Sequence, residues 1–160
     1  MPKLIRITTV PISLKLLLKN QMSFMSNAGF DVLMVSSEGK EWYDVSKNEK
    51  GIRKEIIPFT RKITPLKDIY CLWLLFRLFK REKPDIVHTH TPKAGLLGMV
   101  AAWMAGVPVK IHTLAGLPFI VEKGRKAKLL SDIEKITYRF ADEVWPNSYS
   151  LKDFIISKKL

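Results

Sequence analysis

Apolar runs of strand length alternate with segments of helical period along the whole chain, and this alternation strongly constrains the fold. The runs predict six strands, at Leu4–Val10, Asp31–Ser37, Glu55–Phe59, Asp85–Thr89, Val107–Thr113 and Asp142–Pro146. Helical segments between strands are typical of a parallel sheet covered by helices on both faces. We therefore expect one α/β domain over residues 1–160, with a doubly wound, mostly parallel, Rossmann-like sheet. The carboxyl ends of its strands would form the ligand crevice.

Apolar spacing and end signals predict four helices between these strands, at about Ser13–Asn27, Leu66–Glu82, Pro92–Ala105 and Arg125–Ala141. Ser13 and Thr91 are candidate N-caps, because a hydroxyl at that position can accept a hydrogen bond from a free helical N–H. Gly106 is a typical helix stop. Residues 38–51 are rich in charge and poor in periodicity, which predicts a long loop.

Composition narrows the class of protein. With 160 residues, 47% of them hydrophobic, the chain can bury a sizeable core. The single cysteine, Cys71, excludes an internal disulfide and predicts a buried thiol in a reducing compartment. The first seven residues contain Arg6 within their apolar run and lack a small-residue cleavage site. They therefore do not resemble a signal peptide, and we expect a cytoplasmic protein.

The net charge of +12 favours an anionic partner: a phosphorylated substrate, a nucleic acid or the acidic face of a bilayer. The apolar stretch at Leu72–Phe76 is followed by Arg77 and Lys80, well short of the roughly 20 apolar residues that span a bilayer. The helix at Leu66–Glu82 nevertheless carries more apolar surface than one buried face needs. It is either a core helix or an interfacial helix on an anionic membrane.

The segment Lys83–Gly98 carries the strongest functional pattern, a short buried strand that leads directly into a helix. His88 and His90 are two residues apart on this strand, so their side chains lie on one face. The free N–H groups at the start of the helix are expected to point to the same place with partial positive charge. The segment therefore predicts a site for an anionic ligand that bears hydroxyl groups.

The next strand ends in a Gly/Pro turn, and parallel strands end at the same edge of a sheet. We expect five residues to line one open crevice: His88, His90, Lys93, Thr113 and Gly116. His112 would join them and bring three histidines together. His88, His90 and His112 are thus candidate catalytic residues.

Other chemistries are less well supported. A pair of histidines at a strand end binds metal in some hydrolases, but a metal needs three or four ligands and only His112 remains, without an acidic cluster. A metal-dependent hydrolase is kept as an alternative, and no metal is expected. The turn at Thr8–Leu14 lacks the G-x-G-x-x-G pattern of dinucleotide sites, and the chain has no G-x-S-x-G motif. No cofactor is expected.

At these residues the chain resembles the amino-terminal domain of a glycosyltransferase family 4 enzyme, one half of the GT-B fold, of the kind that builds bacterial capsule or lipopolysaccharide O-antigen. The resemblance rests on Thr9–Leu14, Gly29–Val32, Lys83–Gly98, Ala105–Pro108 and Pro146–Ser148. It implies the acceptor-binding half of a hexosyl- or N-acetylhexosaminyl-transferase. Such an enzyme moves sugar from a nucleotide-sugar donor to a polyprenyl-diphosphate-linked glycan.

The resemblance also implies partners and site residues. We expect the carboxy-terminal donor domain to be absent, so that this chain alone is inactive. The expected partners are that domain, the lipid-linked acceptor and the inner face of the cytoplasmic membrane, with no nucleic acid. A basic module that only binds the membrane surface is the alternative. The implied acceptor-binding residues are Pro11, Ser13, His88, His90, Thr91, Lys93, Thr113, Gly116, Asn147 and Ser148.

The chain departs from the family pattern at two positions. Pro11–Ser13 stands where many relatives have a Gly-rich turn, and Ala115 stands where many have a histidine. These departures weaken two family roles here, phosphate binding by the first loop and catalysis at position 115. The pair Glu41 and Glu49 has the E-x7-E spacing of the family's donor domain, but it lies in the charged segment without the strand-helix context. We treat that match as chance.

Overall fold

A computed structural model describes residues 1–116 and 123–158 of the chain. The strands are β1 (Lys3–Ile7), β2 (Asp31–Ser36), β3 (Arg53–Ile56), β4 (Ile86–Thr89), β5 (Val109–Leu114) and β6 (Glu143–Pro146). The helices are α1 (Pro11–Leu17), α2 (Gln21–Asn27), α3 (Trp42–Asn48), α4 (Pro65–Glu82), α5 (Pro92–Ala105), α6 (Gly124–Phe140) and α7 (Tyr149–Ser157).

The strands form one sheet in the order β3-β2-β1-β4-β5-β6, and every neighbouring pair is parallel. The chain starts at the centre, winds outward through β2 to β3, crosses back through α4, and then winds outward again through β4, β5 and β6. The direction of winding therefore switches between β1 and β4, where ligands of doubly wound folds bind. The predicted fold class is confirmed.

Two apolar cores lie on the two faces of the sheet, because successive strand residues point to opposite faces. On one face, α4 and α5 pack on strand residues such as Ile5 and Val87. On the other, α1, α2 and α3 pack on Leu4, Val32 and Met34. Cys71 lies in the first core and is fully buried, as predicted.

The segment predicted as one helix from Ser13 to Asn27 is two helices, so that prediction is wrong. Asn20 takes a left-handed backbone conformation, with φ of 64°, between α1 and α2. Asn is one of the few residues besides Gly that adopt this conformation routinely, which explains where the break falls. The cap prediction for Ser13 is also wrong, because α1 begins at Pro11 after Val10.

The predicted loop over residues 38–51 contains the helix α3, which is a further correction. Trp42 and Val45, three residues apart, are both buried against the second core. The indole N–H of Trp42 donates to the carbonyl oxygen of Ser37 at 2.9 Å. Two apolar anchors suffice to hold a helix of two turns to the sheet, although the surrounding charges conceal its periodicity.

The other helix predictions hold closely. α5 has the predicted bounds and ends at Gly106, whose φ is 76°. α4 begins one residue earlier than predicted and buries Cys71, Leu75, Leu78 and Phe79. Within residues 1–116 and 123–158, no helix combines the length and the apolar character needed to cross a bilayer.

Candidate functional site

A cavity of about 230 Å³ lies at the carboxyl ends of β1, β4 and β5, under the break between α1 and α2. We call it the histidine cavity. Its polar lining comprises Arg6, His88, His90, Thr113 and Asn147, with Trp145 beside them. The ends of the two short helices cover one side with Leu17, Leu18 and Gln21. The break that sequence reasoning missed therefore shapes this cavity.

Strand register explains why these side chains meet. In the parallel sheet, Arg6 on β1 lies beside His88 on β4. His90 follows two residues later and points to the same face. The two imidazole rings lie 4.0 Å apart between centroids. The expectation that His88 and His90 share a face is thus confirmed.

The ring of His88 is held by its neighbours on β5 and β6. Its Nε2 atom lies 2.7 Å from Oγ1 of Thr113, within hydrogen-bond distance. The ring of Trp145 meets it edge to face at 5.2 Å between centroids. Burial lowers the pKa of His88 to about 3, and the positive charge of Arg6 acts in the same direction. His88 is therefore neutral near pH 7.

His90 lies next to Arg6 at the base of the cavity. The Nε and Nη2 atoms of Arg6 lie 3.1 and 3.0 Å from Nε2 of His90. A guanidinium can only donate, so Nε2 of His90 accepts and its Nδ1 carries the hydrogen. This Nδ1 is buried and has no hydrogen-bond partner among residues 1–116 and 123–158. Burial first, then His88 and Arg6, lowers the pKa of His90 well below its ordinary value.

Arg6 is the site residue that sequence reasoning missed. It is only 6% exposed, and burial lowers its pKa to about 10, so it remains protonated at neutral pH. Its one sequence signal is a single charge inside an apolar strand. A buried cation in such a strand is costly unless it has a partner or a ligand, and that cost points to function.

His112 does not join the cavity, so the prediction that three histidines line one crevice is wrong. It pairs in register with Thr89 and points to the opposite face of the sheet. Its Nδ1 atom lies 2.8 Å from Oγ1 of Thr89. A Cβ atom on Gly95 of α5 would lie 2.6 Å from its Cε1, so the ring fills the space that this glycine leaves. Burial lowers its pKa to about 4.

Lys93 also lies outside the histidine cavity. Its Nζ atom forms an ion pair with Asp68 at 2.7 Å and donates to Oγ1 of Thr60 and to the backbone carbonyl of Lys62. It lines a separate groove of about 380 Å³ together with Ser13, Thr91 and several apolar side chains. The predicted single crevice is therefore divided into two.

The start of α5 is capped by the segment that follows β1. Thr91 occupies the N-cap position, as predicted, but its side chain does not cap the helix. Oγ1 of Thr91 accepts from the backbone N–H of Thr9 at 2.9 Å. Oγ1 of Thr9 in turn accepts from the N–H of Ala94 at 3.3 Å. At least this first-turn N–H is therefore not free to bind an anion, contrary to expectation.

The remaining predicted residues are dispersed. Asn147 lines the histidine cavity, whereas Ser148 caps α7 by accepting from the N–H of Leu151. Pro11 is buried at the start of α1, next to Gly39. Gly116 is exposed just beyond β5, and residues 117–119 of the predicted Gly/Pro turn lie outside the described residues.

The position of His112 argues against the alternative of a metal-dependent hydrolase, because His112 was the only candidate for a third metal ligand beside His88 and His90. His112 points to the opposite face from the histidine pair. The described part of the chain contains no group of three or more His, Cys, Asp or Glu side chains arranged to hold a metal ion.

A polar cavity at the β1/β4 switch point is where doubly wound parallel sheets in general bind their ligands. Residues 7–148 match the glycosyl transferase 4-like family. The chain belongs to this family.

Two curated relatives are similar over much of the chain. It is 38% identical over 160 residues to the capsular polysaccharide biosynthesis glycosyltransferase CapM of Staphylococcus aureus, which covers 99% of this chain and 40% of that protein. It is 36% identical over 111 residues to the UDP-Gal:alpha-D-GlcNAc-diphosphoundecaprenol alpha-1,3-galactosyltransferase of Escherichia coli. That match covers 69% of this chain and 28% of the relative. The chain thus spans less than half the length of either relative.

Solved structures share the fold at low identity. The UDP-N-acetylglucosamine 2-epimerase of Rickettsia bellii superposes with a TM-score of 0.73 at 18% identity, over 100% of this chain and 42% of that chain. MurG of Acinetobacter baumannii superposes with a TM-score of 0.63 at 19% identity, over 94% of this chain and 42% of that chain. This confirms the fold prediction, a Rossmann-like half of a GT-B arrangement.

Proposed function

We propose that this chain is the acceptor-binding half of a glycosyltransferase that moves a sugar from a nucleotide-sugar donor to a polyprenyl-diphosphate-linked glycan. The observation that carries the proposal is the histidine cavity, a buried polar site at the carboxyl ends of β4 and β5 in a chain of the glycosyl transferase 4-like family. The diphosphoundecaprenol acceptor named for the E. coli relative supports the choice of acceptor.

The chemistry assigned to the cavity is positioning. His88 and His90 are neutral, because burial depresses both pKa values. Neutral imidazoles can donate to or accept from a sugar hydroxyl and hold it at the sheet edge. Fixed placement of the attacking hydroxyl removes much of the entropic cost of a bimolecular step. Stabilisation of the departing nucleoside diphosphate is assigned to a separate donor-binding domain.

A chimera tests the proposal. This chain replaces the matching 40% of the S. aureus relative, so that it is joined to that protein's remaining part. The isolated chain is expected to bind a short-chain polyprenyl-diphosphate sugar in isothermal titration and to transfer nothing. The chimera is expected to transfer sugar from a UDP-sugar. Tight binding of UDP-sugars by the isolated chain, or transfer by it alone, would overturn the division of labour.

A second proposal is that α4 holds the chain on an anionic membrane. The side chains of α4 that point away from the core are large and apolar or aromatic, and we call them the α4 outer face: Leu66, Ile69, Tyr70 and Trp73. Leu66 is 86% exposed and Trp73 is 47% exposed. An apolar face of this kind is typical of a helix that lies in a lipid interface.

The charges around this face favour an anionic bilayer as the occupant. Arg77 lies over the Trp73 ring at 4.7 Å, and the exposed Arg61, Lys62 and Lys67 lie at the amino-terminal end of α4. Each basic residue near an anionic surface contributes about 1 kcal/mol to attraction. The sequence left two interpretations of this helix, a core helix and an interfacial helix. The face that packs in the core supports the first, and the α4 outer face with its surrounding charges supports the second.

Vesicle co-sedimentation tests the membrane proposal. The chain is expected to bind vesicles rich in anionic lipid and to leave neutral vesicles unbound. The variant Leu66→Ser/Trp73→Ser is expected to lose most of that binding, whereas Trp103→Ser, at an exposed tryptophan on α5, is the matched control. Equal binding by both variants, or equal binding to both vesicle types, would remove the membrane role and leave the enzyme proposal intact.

A further inference from the structure

We propose that the histidine cavity is a diphosphate-binding site, with Arg6 as its charge and His90 Nδ1–H as a second donor. The identity of the ligand rests on the proposed function, since both substrates of such an enzyme carry a diphosphate. The existence of the site rests on the cavity alone. Arg6 was not among the residues expected to bind substrate.

The first observation is an unpaired buried cation. Arg6 is 6% exposed, and no carboxylate forms an ion pair with it among residues 1–116 and 123–158. Glu49 is also buried, and its charge raises the pKa of Arg6, but burial outweighs that effect and lowers the pKa to about 10. Oε2 of Glu49 accepts from the N–H and hydroxyl of Ser23, and its Oε1 has no partner in the described part of the chain. A buried charge without a partner is costly, and an anionic ligand would offset that cost.

The second observation is an independent buried donor without an acceptor. Arg6 occupies the Nε2 lone pair of His90 and so fixes the hydrogen on Nδ1. His90 is 2% exposed, lines the cavity, and its Nδ1 has no partner in the described part of the chain. Most buried polar atoms in proteins are hydrogen-bonded, so an orphan donor in a cavity wall indicates a ligand atom or an ordered water.

The third observation is the remaining hydrogen-bonding capacity of Arg6. Its Nε and Nη2 groups contact His90, which uses two of the five N–H donors of a guanidinium. The free donors of a guanidinium suit the oxygens of a phosphate, which can accept in pairs. Asn147 and Gln21 add side-chain amides at the exposed mouth of the cavity.

Size and charge select the ligand. A volume of about 230 Å³ is below the roughly 300–1,000 Å³ of sites that enclose a whole drug-sized molecule. The cavity therefore fits a diphosphate and the adjoining edge of a sugar rather than a complete lipid-linked sugar. No acidic side chain is among the described residues that line it, and its histidines are neutral, so Arg6 supplies the charge of its lining. A compact group with several acceptor oxygens and negative charge matches both properties.

Calorimetric titration with inorganic diphosphate tests the site in the chain as it stands. The dissociation constant is expected to rise at least about tenfold in Arg6→Gln, which removes the charge and keeps an amide donor. Arg6→Lys is expected to retain part of the affinity. Arg139→Gln is the matched control, because Arg139 is exposed on α6 and its loss changes net charge equally. Nitrogen-15 spectra of the wild type provide a second readout, in which the Arg6 Nε resonance should shift on titration.

The source of the diphosphate is decided by two further titrations. Farnesyl diphosphate represents the acceptor, and UDP represents the donor. Binding of farnesyl diphosphate that weakens in Arg6→Gln supports an acceptor site, whereas the same behaviour with UDP alone supports a donor site. Diphosphate binding that survives Arg6→Gln, or an Arg6 resonance that does not move, would overturn the inference. If lipid-linked sugar binds independently of Arg6, the proposed function stands without this site.

Discussion

The hydroxyl of Thr9, two residues beyond β1, accepts a hydrogen bond from the backbone N–H of Ala94 in the first turn of α5, at 3.3 Å. The same hydroxyl lies 2.7 Å from that of Thr91. A residue 85 positions earlier in the chain thus performs the capping role that is usually local. Because β1 and β4 flank the switch point, this contact joins the two halves of the sheet where the site is built.

We predict that Thr9→Val destabilises the chain by about 1–2 kcal/mol, because it leaves the buried N–H of Ala94 without an acceptor. Valine matches threonine in shape, so the change isolates the hydroxyl. Urea unfolding followed by circular dichroism measures the effect. Ser13→Ala is the control, since Ser13 does not occupy a cap position, and it should change stability by less than about 0.5 kcal/mol. Equal effects of the two substitutions would contradict the capping role.

Lys93 is predicted to stabilise the fold. Its ion pair with Asp68 is mostly buried, with 13% and 18% of the two side chains exposed. Replacing Lys93 by methionine keeps most of the apolar stem and leaves Asp68 without its cation, so we expect a loss of about 1–3 kcal/mol. A double-mutant cycle with Asp68→Asn should show coupling between the two positions.

The exposed pair formed by Lys15 and Asp44 is the control for that experiment. Lys15→Met should produce no resolvable loss of stability, because solvent screens such pairs. Diphosphate binding should be unaffected by Lys93→Met, since Lys93 lines the separate groove. If Lys93→Met instead weakened ligand binding without a change in stability, the original sequence prediction for Lys93 would be correct.

The buried histidines predict acid sensitivity. The pKa of His88 is lowered to about 3 and that of His112 to about 4 from an ordinary 6.5, in both cases chiefly by burial. That of His90 is also well below 6.5. At pH values between the folded-state pKa values and 6.5, the unfolded chain binds more protons than the folded chain. The contribution of these histidines to the free energy of unfolding is therefore complete above pH 6.5 and falls as the pH decreases. Each histidine contributes a slope of up to about 1.4 kcal/mol per pH unit.

Glu134 opposes this trend. It is buried on α6, and burial raises its pKa from 4.5 to about 7. Here the folded chain binds the extra proton, so the contribution to stability is full below pH 4.5 and is lost as pH rises toward 7. Glu134→Gln should therefore make the rise in stability between pH 4.5 and 6.5 steeper. Urea titrations at several pH values test this, and an unchanged slope would contradict the raised pKa.

The sequence predicted the fold well because the main signals were strong and local. Apolar runs and helical periods located all six strands approximately, and the pattern Thr91, Pro92 and Gly106 defined α5 to the residue. α3 was missed because only Trp42 and Val45 anchor it. Two buried residues in a helix of seven residues are too few to produce a recognisable helical period in a segment rich in charged residues.

The site could be predicted only in part. The period of two in a strand correctly placed His88 and His90 together. Whether neighbouring strands bring His112 or Lys93 to the same face depends on register and on helix packing, which no local pattern specifies. Arg6 lies more than 80 residues from His90, so its contact with that ring becomes visible only when β1 and β4 pair.

The last prediction concerns the histidine pair in the chimera described above. His88→Ala and His90→Ala should each reduce sugar transfer by at least about tenfold, the loss typical when a group that positions a substrate is removed. Arg139→Gln is expected to leave transfer unchanged, because Arg139 is exposed on α6 and makes no contact with the cavity. Because burial lowers the pKa of His88 to about 3, the transfer rate should be flat between pH 6 and 8, about the range over which an unperturbed histidine would titrate. Wild-type turnover in both alanine variants, or a rate that changes with a midpoint near pH 6.5, would show that these neutral imidazoles do not have the positioning role.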